Sequence, residues 1–76
     1  MSNRKVYHVL PNGSEWIGKL ENTTSAVVTA ATKEEAVEMT VKKAKDNIPS
    51  QVIIHKADGT IEKEYTYGND PYPPEG

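Results

Sequence analysis

Cysteine is absent from this 76-residue chain, which excludes disulfides, thiolate metal ligands and thiol nucleophiles together. Long apolar runs are absent too. The run that follows Met1-Ser2-Asn3-Arg4-Lys5 covers only Val6 to Leu10, too short for a secretory signal, and nothing approaches the roughly 20 residues of a membrane span. Neither charge sign dominates, since nine Lys+Arg stand against eleven Asp+Glu for a net charge of −2. The chain therefore has no global attraction for nucleic acid or anionic lipid. No G-x-G-x-x-G or phosphate-binding loop occurs, and Ser14, Ser25 and Ser50 have no base beside them in sequence. These absences predict a soluble, cytoplasmic, non-enzymatic protein with no cofactor and no membrane contact. Asn12-Gly13-Ser14 and Asn22-Thr23-Thr24 match the glycosylation pattern, but without a secretion signal they read as turns.

What is present is the material of one small domain. The residues expected inside are Tyr7, Val9, Trp16, Leu20, Val28, Val37, Val41, Ala44, Val52, Ile54, Ile61 and Tyr65. Val6 to Leu10 reads as a strand, Pro11 to Ser14 as its turn and Trp16 to Glu21 as a second strand. In that hairpin Trp16, Gly18 and Leu20 share a face with Tyr7 and Val9, while His8 and Lys19 point to water. Ser25 to Ala30, rich in β-branched residues, predicts a third strand. Thr32 and Glu35 stand at capping-box spacing, and Val37, Thr40, Val41, Ala44 and Ile48 form a helical stripe that Pro49 stops. Acidic Glu34, Glu35 and Glu38 precede basic Lys42, Lys43 and Lys45, in the sense that favours the helix macrodipole.

Gln51 to Ala57 and Thr60 to Tyr67 predict a hairpin closed by the two-residue turn Asp58-Gly59. That register sets His55 opposite Glu62, Ile54 opposite Lys63 and Val52 opposite Tyr65, with Ile61 and Tyr65 on the core side. The expected fold is α+β: a small antiparallel sheet in the order β-β-β-α-β-β, covered on one face by one helix and open on the other. Residues 1–68 form this domain and residues 69–76 a tail in which Pro71, Pro73 and Pro74 flank Tyr72. Such a segment costs little ordering entropy when it lies on a surface.

The candidate interaction residues are His8, His55, Met39, Tyr67 and Tyr72. The two histidines share the open face and with Glu62 would compose a two-histidine, one-carboxylate site if their strands were neighbours. No local ligand spacing supports that, so no metal is assigned and both read as surface histidines of a half-polar sheet. Met39 falls outside the helical stripe and reads as an exposed apolar contact residue. Tyr67 and Tyr72 bracket the turn-rich Gly68-Asn69-Asp70, and Tyr72 is expected to fold back as a clasp. The lysines of the helix end, with Arg4, Lys5, Lys56 and Lys63, have acidic neighbours and no interleaved aromatics. Nucleic-acid binding is therefore the alternative to protein interaction or self-association.

Taken together, Tyr7-His8-Val9-Leu10-Pro11-Asn12-Gly13, Trp16, Thr32-Lys33-Glu34-Glu35-Ala36, Ile54-His55, Asp58-Gly59 and Tyr67-Gly68-Asn69-Asp70-Pro71 resemble a family of small bacterial proteins, the domain of unknown function family 2188. The resemblance spans nearly the whole chain. It implies a bacterial origin and an α+β layout and brings no catalytic residue. Gly18 stands where that pattern leads one to expect an apolar side chain.

Overall fold

The computed structural model describes residues 4–68. Its elements are β1 (Lys5–Asn12), β2 (Glu15–Leu20), β3 (Ala26–Ala30), α1 (Lys33–Lys45), β4 (Ser50–His55) and β5 (Ile61–Tyr67). The five strands make one sheet in the order β3-β2-β1-β4-β5, with α1 on one face. The expected α+β class holds. The sheet, however, is mixed and not wholly antiparallel, because β1 and β4 at its centre run parallel. Parallel neighbours need a long crossover; here β2, β3 and α1 carry the chain out to one edge and back before β4 enters beside β1.

Local chemistry sets the ends of these elements. In the first hairpin Asn12 pairs with Glu15, leaving Gly13-Ser14 as the loop, and Gly13 takes the positive φ of 66° that this tight loop requires. The Thr32 hydroxyl accepts the Glu35 amide and so caps α1. At the other end Asp46 caps the helix and Asn47 Nδ2 donates to the Lys43 carbonyl. Ile48, expected on the buried stripe, lies beyond this end and is 53% exposed.

The core lies between α1 and the inner face of the sheet. Tyr7, Val9, Val28, Ala30, Ala36, Ala44, Val52 and Ile54 are buried, with Trp16, Leu20, Val37, Val41 and Tyr67 packed around them. The helix comes closest at Gly18: a Cβ built there would stand 2.1 Å from Thr40 Oγ1 and 3.2 Å from Thr40 Cβ. Glycine at this position is what lets Thr40 bury completely. Ser50 is buried as well and donates its hydroxyl to the Ala44 carbonyl at 2.6 Å.

The second hairpin departs from its expected register for an identifiable reason. Gly59 N–H donates to the Lys56 carbonyl, and Lys56 N–H donates to the Thr60 carbonyl, so the loop holds three residues, Ala57-Asp58-Gly59, with Gly59 at φ 96°. The Asp58 carboxylate accepts both the amide and the hydroxyl of Thr60, which holds its pKa below the ordinary value. The extra loop residue sets Ile61 opposite His55, and a bulge then restores the expected pairs Ile54–Lys63 and Val52–Tyr65. Two expectations fail as a result. Ile61 turns to the open face and is 52% exposed, and Glu62 leaves His55 to form an ion pair with Lys33 of α1. That pairing lowers the Glu62 pKa. Tyr65 keeps its inward register but is 37% exposed, since α1 packs chiefly on β1 to β4 and leaves the inner face of β5 overhanging.

Candidate functional site

The alternation that buries Tyr7 and Val9 turns Val6, His8 and Leu10 to the face opposite α1. Cross-strand pairing sets Lys19 beside His8 and Ile17 beside Leu10 on one flank, and Gln51 beside Val6 and Ile53 beside His8 on the other. His55, two residues beyond Ile53, comes to the same face as a diagonal neighbour of His8. Val6, Leu10, Ile17 and Ile53 are each partly exposed there. They form an aliphatic band around two imidazoles.

The imidazoles touch. His8 Nδ1 and His55 Nε2 are 2.9 Å apart, and His55 Nδ1 is 2.9 Å from the Gly59 carbonyl. A carbonyl only accepts, so His55 Nδ1 carries a proton; neutral His55 then accepts through Nε2, and His8 Nδ1 is the donor. This leaves His8 Nε2 as the free position of the pair, 3.9 Å from Glu21 Oε1. A proton added there makes a cation facing a carboxylate. A second proton on His55 Nε2 would set two N–H groups against each other, so the pair takes up one proton without breaking. Burial, then the neighbouring His55, lower the His8 pKa; Glu21 opposes the shift and Lys19 adds to it. Around the pair His8, Leu10, Lys19, Glu21, Asn22 and His55 enclose a depression of about 220 Å³.

The expected site residues thus separate into groups. His8 and His55 meet, with Glu21 in the place expected for Glu62. Met39 lies on α1, on the other side of the sheet, 46% exposed above a surface shared with Glu38, Val41, Lys42 and Lys45. Tyr67 faces α1 from the end of β5, with Lys45 Nζ 5.6 Å from its ring centroid; burial raises its pKa, and Tyr65 adds to the effect. Tyr72 lies outside the described residues. Among the described residues no group of three or more His, Asp or Glu side chains is placed to hold a metal ion. Several lysines of the helix and of β5 are engaged: Lys33 with Glu62 and over Trp16, Lys45 over Tyr67, Lys63 over Tyr65.

Residues 7–67 match the family described as an uncharacterised protein conserved in bacteria, DUF2188. The chain belongs to this family. Both histidines, Glu21, the Gly18–Thr40 contact and Tyr67 fall within the matched span of DUF2188, whereas residues 69–76 fall outside it. No curated protein and no solved structure matches the chain. Among the described residues no helix is long and apolar enough to cross a membrane.

Sequence reasoning missed Glu21 and the aliphatic band. Glu21 follows directly on Leu20, which pairs with Tyr7, so the first hairpin's register was enough to find it near His8. The band needed the neighbour of β1, which no local pattern supplies.

Proposed function

We propose that this DUF2188 domain is a non-enzymatic, cytoplasmic protein-interaction module whose open sheet face docks an apolar segment of a partner protein. The observation that carries this reading is the band of Val6, Leu10, Ile17 and Ile53 around the His8–His55 pair, on the face opposite α1. The β1–β4 pair at the centre of the sheet is parallel, and parallel pairs are ordinarily covered on both faces; four aliphatics there favour a surface that is covered in use. The partner's chemistry follows from the rest of the face. Lys19 favours an apolar segment carrying a carboxylate, and the unprotonated Nε2 of neutral His8 favours a hydrogen-bond donor on it.

The size of the face favours transient contact. The five strands, about 4.8 Å apart and about 21 Å long on average, present roughly 500 Å², against about 800 Å² per partner in a standard stable interface. A stable homodimer through this face alone is disfavoured.

Affinity purification from cross-linked cells of the native host tests the reading with three forms: the wild type, Ile17→Glu/Ile53→Glu on the open face, and Lys42→Glu/Lys43→Glu on the helix. A protein should co-purify with the wild type and the helix variant and be lost with the sheet variant. Retention by the sheet variant, or no co-purifying protein at all, contradicts the proposal. Binding that disappears with added salt and with the lysine substitutions would show the nucleic-acid alternative instead.

A further inference from the structure

The overhang of β5 leaves a second concavity, on the opposite side of the sheet from the histidines. Val37 and Val41 of α1 form one wall and Tyr65 and Tyr67 of β5 the other, with Lys33, Glu34 and Glu38 along the rim, enclosing about 740 Å³. Two partly buried valines and two tyrosines facing each other across an open groove are an aromatic-lined channel of the kind that suits an extended, proline-containing segment. We propose that this groove seats the chain's own residues 69–76, with Tyr72 between the valines and the tyrosines.

Position and reach support this occupant. The segment leaves β5 at Gly68, one residue after Tyr67, which itself lines the groove. That exit lies near the C-terminal end of α1, where Lys45 stands over the Tyr67 ring, so the chain must reverse to enter the groove. Gly68-Asn69-Asp70-Pro71 carries turn-forming residues at that point. After that turn the five residues 72–76, in a polyproline conformation, span about 15 Å, enough to run beside Val41 and Val37, about 6 Å apart along the helix axis. Because the groove and the open face lie on opposite sides of the sheet, this inference stands independently of the proposed function.

The absence of native cysteine permits one nitroxide label at Glu75→Cys in the full chain. Paramagnetic broadening is read on methyl signals. The Val37 and Val41 methyls should lose most of their intensity while those of Leu10 and Ile53 keep theirs, and adding Tyr72→Ala should restore the valine signals. A mixture of labelled, isotope-free chain with unlabelled, isotope-enriched chain should show no broadening. Unbroadened valines, broadening confined to the open face, or broadening that appears equally in the mixture would overturn the proposal, the last by showing that the groove takes the segment of a second copy.

Discussion

Replacing Gly18 with alanine tests how α1 is held on the sheet. The new Cβ would lie 2.1 Å from Thr40 Oγ1, 3.2 Å from its Cβ and 3.3 Å from its Cγ2, well inside the 3.5–4.0 Å at which such atoms attract. Rotating Thr40 cannot clear all three contacts, because its Cβ stays close in every rotamer. The helix must shift or a side chain must strain, at about 1–3 kcal/mol for overpacking. Restricting the unfolded chain offsets about 0.4–1 kcal/mol of this. A net loss of about 1.3 kcal/mol corresponds to a fall in Tm of roughly 5–10 °C for a domain of this size, read by circular dichroism and by the fluorescence of Trp16. The Thr40 hydroxyl is buried without a hydrogen-bond partner among the described residues. Thr40→Ala thus removes an unsatisfied group worth about 1–3 kcal/mol while losing a methyl worth about 0.8 kcal/mol, and it vacates the volume that the new methyl needs. The double variant Gly18→Ala/Thr40→Ala should lie within about 1 kcal/mol of the wild type. A single-variant loss below about 0.5 kcal/mol, or simple additivity of the two substitutions, refutes the reasoning.

The histidine pair makes stability depend on pH. Since the folded-state pKa of His8 is lowered, the unfolded chain binds the proton more readily; stability is complete above the unfolded value near 6.5 and is lost as pH falls through the lowered folded value. His8→Gln should flatten the acid limb of a Tm-against-pH curve, and an NMR titration should find the His8 ring protonating below an ordinary histidine; an unchanged acid limb would contradict this. Ser50→Ala should cost about 0.5–1.5 kcal/mol in urea unfolding, because it removes one buried hydrogen bond to the Ala44 carbonyl, which keeps the Asn47 amide as a donor. Thr32→Ala should cost about 0.5–2 kcal/mol by the same measurement through loss of the α1 cap, and a loss confined to the noise would deny the cap its role.

Legibility in the sequence tracked the range of the interaction. The Thr32 cap, the first hairpin and the third strand depend on neighbours within a few residues, and all were readable. Asp58-Gly59 marked a turn but could not choose between a two- and a three-residue loop, because both use a glycine at positive φ. That single residue moved Ile61 out of the core and Glu62 away from His55. Gly18 looked like a gap in an apolar pattern; its reason is Thr40, twenty-two positions away and on another element. The parallel pairing of β1 and β4 was the least readable feature, since nothing in either strand encodes its neighbour. It is also what joins His8 to His55 and assembles Val6, Leu10, Ile17 and Ile53 into one surface.

The central claim is that this surface, and not the helix, meets the partner. A photo-cross-linking residue placed at Ile17 on the open face and, in separate chains, at Lys43 on the outer side of α1 tests it directly in cells of the native host. A discrete protein adduct is expected from position 17, weakened by Leu10→Glu, and none from position 43. Adducts from position 43 alone, or adducts at position 17 that Leu10→Glu leaves unchanged, would contradict it.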